Sequence, residues 1–171
     1  FTYHQYSLAC LSFAGDLSNS SRIRALVGKG LAFSDHIQLG DGHVSYFGRG
    51  SNNIYHLAAY AFAASNSANG VEVFENVLDL ISPHLSNRRG LPTALNSGFK
   101  ARMAWNHCAT PYNAMTAFFL ILGMKRLMST TFSEQAPPIK FDSPLVDDVV
   151  RIESNSGIAV FTKRKSSKVS T

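Results

Sequence analysis

The feature of this 171-residue chain that most constrains its fold is a helical spacing of apolar residues, which recurs through residues 1–136. The spacing is clearest in residues 18–35, where one helix face carries Ile23, Leu26, Val27, Gly30 and Leu31. Four further segments are predicted to be helical: 3–15, 52–64, 71–85 and 112–128. Because each segment has at least one apolar face, we expect the helices to pack together as antiparallel hairpins.

The ends of these segments carry recognisable signals. The first helix is predicted to end near Gly15, and the serine and asparagine residues before Arg22 are N-cap candidates for the second. Pro111 suits the first turn of the fifth helix, where its missing N–H would have no helical partner. Residues 114–124 are apolar almost throughout, but they have only about half the length that crosses a bilayer. We therefore expect a buried fifth helix and no membrane span.

The character of the sequence changes after residue 136. Residues 147–165 hold two β-branched runs on either side of an Asn-Ser-Gly turn, which is typical of a β-hairpin. The predicted fold is therefore mainly α, with residues 1–136 as the helical portion and residues 137–171 as a linker and the start of a β domain. A bundle, a solenoid and an (α/α) toroid all fit the helical pattern, although the lack of an internal repeat disfavours a regular solenoid.

Composition predicts a folded globular chain, with 45% hydrophobic and 16% charged residues. The net charge of +5 is concentrated at one end. From Arg151 onward there are five basic residues against the single Glu153, which leaves +1 for the first 150 residues. A basic tail of this kind is more typical of a solvated end than of a nucleic-acid site, so no nucleic-acid partner is expected.

The two cysteines, Cys10 and Cys108, are far apart and form no CxxC pair. Cys10 lies in an apolar stretch and is expected to be a buried free thiol. The residue spacings of zinc-binding sequences are absent as well. We therefore expect neither a metal nor a cofactor.

Three polar clusters lie outside the apolar helix faces and share histidine and tyrosine, and two of them also contain asparagine. Two of them lie before a predicted helix, where free backbone N–H groups favour anionic ligands. The first cluster contributes Tyr3, His4, Gln5 and Tyr6. The second contributes Asp41, His43, Tyr46, Arg49 and Asn52, followed by Asn53, Tyr55 and His56. The third contributes Trp105, Asn106, His107, Tyr112 and Asn113.

Each cluster also has a purely structural interpretation. The glycine-rich residues 40–50 can form a tight connection, and Asn52 or Asn53 can cap a helix. His56 lies beside an apolar stripe, which favours a structural role for it, and Trp105 can belong to the core. The recurrence of the same residue types in three segments favours a functional interpretation.

The chemistry of these clusters is unusual because they contain a single carboxylate, Asp41. Glycosidases normally use two carboxylates, and serine hydrolases with a nucleophile elbow carry a GxSxG motif that is absent here. Tyrosine, histidine, asparagine and arginine suit β-elimination on a uronic-acid polymer. Asparagine, protonated histidine or arginine would neutralise the sugar carboxylate and stabilise the enediolate. Tyrosine or histidine would remove the neighbouring C–H proton and return a proton to the leaving oxygen.

The order of these motifs resembles the heparinase II/III-like and alginate-lyase-like polysaccharide lyases, which are (α/α) toroids. The resemblance rests on three stretches, TYHQYSLACLSFAGDL (2–17), DGHVSYFGRGSNNIYHLAAYAFAA (41–64) and PYNAMTAFFLIL (111–122). The helix-then-strand order is also similar to the toroid and β-sandwich of that family. The resemblance implies the later part of a toroid and the first strands of a β-sandwich domain, within a longer extracellular or periplasmic protein.

The resemblance also implies which residues act on the substrate. The groups that neutralise the carboxylate and transfer protons map onto His4, Tyr6, Tyr46, Asn106 and His107. The other cluster residues are expected to bind the substrate: Tyr3, Gln5, Asp41, His43, Arg49, Asn52, Trp105, Tyr112 and Asn113.

The leading hypothesis is a polysaccharide lyase whose partner is an acidic, uronate-containing polysaccharide or oligosaccharide. Two alternatives stay open. One is a glycoside hydrolase of (α/α) architecture that pairs Asp41 with a carboxylate outside this chain. The other is a non-catalytic glycan-binding module in which Trp105 and the tyrosines stack on sugar rings.

Overall fold

The structure is a computed structural model that describes residues 3–38, 53–85, 109–129, 149–154 and 157–162. Within these ranges the chain forms five helices and one two-stranded sheet. The helices are α1 (His4–Ser18), α2 (Ser21–Ile37), α3 (Ile54–Ala64), α4 (Gly70–Leu85) and α5 (Ala109–Ser129). The strands are β1 (Val149–Ser154) and β2 (Gly157–Thr162). The prediction of a mainly helical fold is confirmed.

The turn between α1 and α2 follows from two polar residues. Asn19 adopts the left-handed conformation with φ 50°, which asparagine tolerates better than most residues, and so ends α1. The side chain of Ser20 then accepts a hydrogen bond from the Ile23 N–H at 3.4 Å and caps α2. The serine cap was predicted, but the end of α1 near Gly15 was wrong by about one turn, because Asn19 supplies the left-handed residue instead.

Three helices, α1, α3 and α5, run in the same direction with α3 in the middle. Tyr55 stacks on Tyr112 near the starts of α3 and α5, and Phe62 stacks on Phe119 about two turns further along. The start of α1 lies beside the start of α3, where the ring centroids of Tyr3 and His56 are 6.2 Å apart. The N-terminal ends of all three helices therefore lie at the same end of the row.

The other two helices, α2 and α4, run in the opposite direction and pack on α1 and α3 respectively. The His4 ring at the start of α1 meets Phe33 near the end of α2, with centroids 5.2 Å apart. Residues 65–69 join α3 directly to α4, so that Gly70 lies against the last turn of α3. The predicted antiparallel hairpins are thus present as α1–α2 and α3–α4.

The helix that is buried on all sides is α3. Each of its residues from Ile54 to Ala64 is buried, because α1, α4 and α5 surround it and its alanines allow close approach. The prediction of a buried fifth helix was wrong. Helix α5 lies at the edge of the row, and Ile121 and Met128 on its free side are 59% and 81% exposed.

Helices α2 and α4 are amphipathic, as predicted. On α4, the residues that face the core are Val73, Phe74, Val77 and Ile81. The acidic residues of the same helix, Glu72, Glu75 and Asp79, are exposed, which confirms the predicted solvated face. On α2, Val27 and Leu31 are buried, but Leu26 is half exposed because it lies at the margin of the apolar stripe.

Strands β1 and β2 pair in antiparallel fashion, from Val149 opposite Thr162 to Ser154 opposite Gly157. The predicted hairpin is therefore confirmed at the level of strand pairing. The division at residue 136 and the presence of a larger β domain stay predictions.

Two further sequence predictions concern the surface. None of the helices in the described ranges is long and apolar enough to cross a membrane. Cys10 is a free thiol, but it is exposed, so the expected burial was wrong. Its apolar neighbours Leu8 and Ala9 face the helix interfaces, whereas Cys10 shares the outward face of α1 with Ser7 and Ala14.

Candidate functional site

The parallel row brings two of the predicted polar clusters to one end of the molecule. Tyr3 and Tyr6 come from α1 and its preceding residue, Tyr55 and His56 from the first turn of α3, and Tyr112 from the first turn of α5. We call these five residues the aromatic end cluster. The sequence placed Tyr55 and His56 in the second polar cluster, with a structural role favoured for His56 and no role assigned to Tyr55.

Tyr55 lies at the centre of the aromatic end cluster. Its ring is stacked on Tyr112 with centroids 4.6 Å apart and planes 6° apart. Its other neighbour is His56, whose ring meets Tyr55 edge-on at 4.0 Å. Tyr3 completes this side at 6.2 Å from His56, and its side chain is 65% exposed. The cluster thus reaches from a buried imidazole to a solvent-facing tyrosine.

Tyr6 lies one turn further along α1 and is half-buried, with its ring edge-on to Phe119 at 6.0 Å. The neighbouring Cys10 raises the pKa of Tyr6 through its charge and through a side-chain hydrogen bond, and burial adds to the effect. The phenol therefore keeps its proton at neutral pH, although a raised pKa also makes it a weaker acid than free tyrosine.

Tyr55 and His56 are also uncharged at neutral pH. Burial, with a smaller effect from Tyr112, raises the pKa of Tyr55 to about 12. Burial lowers the pKa of His56 to about 4. No carboxylate of the described ranges contributes to either shift, in contrast to Tyr60, whose pKa is raised by burial and then by Asp35.

Two predicted site residues of the first cluster face neighbouring helices instead. The Nε2–H of His4 donates to the Gly30 carbonyl of α2 at 3.0 Å, and its ring packs edge-on against Phe33. Burial lowers the pKa of His4, and the hydrogen bond to Gly30 opposes this effect. Gln5 is fully buried between the helices. These contacts give both residues a packing role, while their predicted roles towards a substrate stay predictions.

The remaining predicted site residues divide into two groups. Tyr112, a member of the aromatic end cluster, and its neighbour Asn113 are half-buried in the first turn of α5. The others lie outside the described residues: Asp41, His43, Tyr46, Arg49, Asn52, Trp105, Asn106 and His107. Their assignments stay predictions, although residues 52 and 108 directly precede described segments that lead into the cluster.

A second polar region was not predicted from the sequence. A cleft of about 940 Å³ lies towards the other end of α1, α3 and α5, and α2 and the α3–α4 connection complete its walls. Its charged lining residues are Asp16, Arg24, Asp35, Glu72 and Arg126. We call it the Arg126 cleft, because Arg126 has the largest number of partners among these side chains.

Arg126 of α5 connects three helices. Its guanidinium forms an ion pair with Asp16 of α1 and donates to the Ser12 hydroxyl at 3.0 Å. It also donates to the Phe62 carbonyl of α3 at 2.9 Å and to the Ser65 hydroxyl at 3.3 Å, while its charge lies 4.0 Å above the Phe62 ring. These contacts satisfy the guanidinium within the protein, so its role is to hold the helices together.

The comparisons and the search for metal ligands add no assignment. Across the segments that the structure describes, no three histidine, cysteine or acidic side chains come together as metal ligands. No protein-family model matches the chain, and comparisons with curated proteins and with solved structures find no match. Function is therefore inferred from the residues and their geometry alone.

Proposed function

We propose that the chain belongs to a carbohydrate-active protein, and that it acts as a polysaccharide lyase on uronate-containing glycans. The observation that carries this proposal is the convergence of tyrosines from α1, α3 and α5 on one end of the helical row, around the 4.6 Å stack of Tyr55 and Tyr112. Aromatic rings are suited to stacking on the apolar faces of sugars, and tyrosine hydroxyls can exchange protons with them.

In the proposed reaction, the predicted proton-transfer residue Tyr46 removes the C–H proton beside the sugar carboxylate. The electrons of that bond form the C=C double bond as the glycosidic C–O bond breaks, and Tyr6 donates a proton to the leaving oxygen. The phenol is protonated at neutral pH and can therefore supply this proton. Tyr3 offers the exposed aromatic surface on which a sugar ring stacks. The predicted neutralising groups, Asn106 and His107, precede α5 in sequence, and α5 begins at the aromatic end cluster. No described carboxylate is needed for this chemistry.

The proposed architecture is part of an (α/α) toroid. Its support is the alternation of direction along the chain, with α1, α3 and α5 parallel in one row, α2 antiparallel to α1 and α4 antiparallel to α3. Such an alternation is what successive helical hairpins around a ring require. A following β-sandwich and an extracellular or periplasmic location, both implied by the resemblance, complete the proposal.

The lyase proposal is tested by the double bond that β-elimination leaves in the product. The full chain is incubated with alginate, heparan sulfate and hyaluronan, and the ultraviolet absorbance of the unsaturated uronate is followed. We expect absorbance to rise with at least one of these polymers, and Tyr6→Phe to lower the rate by about 100-fold. The matched control is Tyr60→Phe, because the Tyr60 hydroxyl donates to Asp35 at 2.7 Å and takes no part in the cluster. No rise in absorbance with any of the three polymers would refute the lyase proposal.

A second candidate function is glycan binding without catalysis. It is favoured by the uncharged state of Tyr55 and His56, whose phenol is protonated and whose imidazole is neutral at physiological pH. Calorimetry distinguishes the two functions. Binding of uronate oligosaccharides without any unsaturated product, and with unchanged affinity in Tyr6→Phe, would favour the binding module.

A further inference from the structure

Among the residues that the structure describes, His56 has two buried side-chain nitrogens without a hydrogen-bond partner. The side chain is 0% exposed, and neither Nδ1 nor Nε2 has a hydrogen-bond partner among the residues that the structure describes. His4, on the neighbouring helix, differs from His56 because its Nε2–H donates a hydrogen bond to the Gly30 carbonyl. Nearly all buried polar atoms in proteins are hydrogen-bonded, and an unpartnered one lowers stability.

The position of His56 explains how a ligand could supply the missing bonds. The residue lies in the first turn of α3, where Asn53 makes no side-chain cap to the helix. Its ring neighbours are Tyr55, which is almost fully buried, and Tyr3, which is largely exposed. The Tyr3 side chain is 65% exposed, so solvent leaves it room to rotate. A movement of Tyr3 would open a path from solvent to the imidazole.

The chemistry of a neutral imidazole selects the kind of ligand. One ring nitrogen carries a proton and donates, while the other accepts. A carboxylate can only accept, so it would leave the accepting nitrogen unsatisfied. Hydroxyl groups both donate and accept, and a sugar presents several of them beside faces that stack on aromatic rings. Burial keeps this imidazole neutral, which is consistent with a hydroxyl ligand.

We propose that His56, Tyr3 and Tyr55 form a sugar subsite in which one His56 nitrogen donates to a ligand hydroxyl and the other accepts from a second hydroxyl. This inference rests on the proposed glycan function and adds a specificity-determining residue to it. His56 would select sugars whose hydroxyls are free, because a substituted hydroxyl leaves a buried nitrogen without its partner.

The test replaces His56 with leucine, which has a similar volume and no polar atoms, in the full chain. Calorimetry measures the affinity for alginate, heparan sulfate and hyaluronan oligosaccharides, and a thermal scan measures the unfolding midpoint. We expect His56→Leu to weaken binding by at least about tenfold, while its midpoint stays the same or rises. The matched control is His36→Leu on α2, outside the aromatic end cluster, which should retain the affinity.

A second readout follows the imidazole itself. In the ¹⁵N spectrum of the histidine rings, addition of the oligosaccharide that binds should shift both His56 nitrogens. Unchanged affinity in His56→Leu, unshifted nitrogens, or a variant that unfolds would each overturn the subsite, since the last result would show a structural role. If the unaltered chain binds none of the three glycans, the proposed function itself fails and the subsite with it.

Discussion

His4 and His56 are buried on neighbouring helices, and burial lowers the pKa of both from the ordinary value of 6.5. His4 has the Gly30 carbonyl as a partner, whereas His56 has none in the described part of the chain. Both rings are therefore neutral in the folded protein at physiological pH. As neutral groups they offer a substrate hydrogen bonds, and the predicted role of His4 towards a substrate stays a prediction.

The lowered histidine pKa values predict how stability depends on pH. In the unfolded chain these imidazoles take up protons near pH 6.5, but in the fold His56 does so only near about pH 4. Because the unfolded state binds more protons in this window, the stabilisation is complete above pH 6.5 and is lost as the pH falls towards 4. The thermal unfolding midpoint should decrease as the pH is lowered from 6.5 to about 4, and the decrease should be less steep in His56→Leu. An equally steep decrease in that variant would show that His56 does not titrate as described.

At the scale of the helices, Arg126 is the main polar connection between α1, α3 and α5. Its side chain is 11% exposed, and removal of the guanidinium would take away the ion pair with Asp16 and the hydrogen bonds to Ser12 and the Phe62 carbonyl. We expect Arg126→Met to lower the free energy of unfolding by about 3 kcal/mol in urea denaturation.

The control for this prediction is the neighbouring exposed cation, Lys125. Lys125→Met removes the same charge from the same turn of α5, and we expect a change within about 0.5 kcal/mol. Equal effects of the two substitutions would mean that a positive charge at this end of α5, and not the contacts of Arg126, stabilises the row of helices.

Gly123 marks the closest approach of α5 to the core. A Cβ atom built on it would lie 2.7 Å from the Phe74 ring and 3.4 Å from the Phe62 Cα. Helix propensity alone predicts that Gly123→Ala stabilises the chain by about 1 kcal/mol. The contact with Phe74 predicts the opposite sign, a loss of about 1–3 kcal/mol in the free energy of unfolding. A more stable variant would show that α5 does not approach the core so closely.

The five helices and the hairpin could be predicted from the sequence because periodicity and turn residues are local signals. The identity of the central helix could not. Helix α5 has the larger apolar side chains, but small alanines such as Ala58 and Ala61 let α3 be approached from all sides, and that is a property of packing. The contacts of Arg126 were equally hidden, because Asp16 is 110 residues away in the chain.

At the scale of the whole molecule, helix direction determines which predicted clusters meet. The sequence predicted tyrosines at the starts of the first and fifth helices, but only the parallel arrangement of α1, α3 and α5 brings them to one end. Tyr55 then joins them at 4.6 Å from Tyr112. The Arg126 cleft lies towards the C-terminal ends of these three helices. Helix α2 and the α3–α4 connection complete its lining. We therefore propose that the glycan binds at one end of the row, while Arg126 links the helices towards the other end.

The central claim, that the aromatic end cluster is where a glycan binds, is tested most directly by an NMR titration of the full chain with ¹³C-labelled tyrosine rings. Alginate, heparan sulfate and hyaluronan oligosaccharides are added in turn. We predict that the resonances of Tyr3, Tyr6, Tyr55 and Tyr112 shift together with at least one of them, while that of Tyr60 remains in place. Shifts at Tyr60 alone, or no shifts with any glycan, would contradict the account.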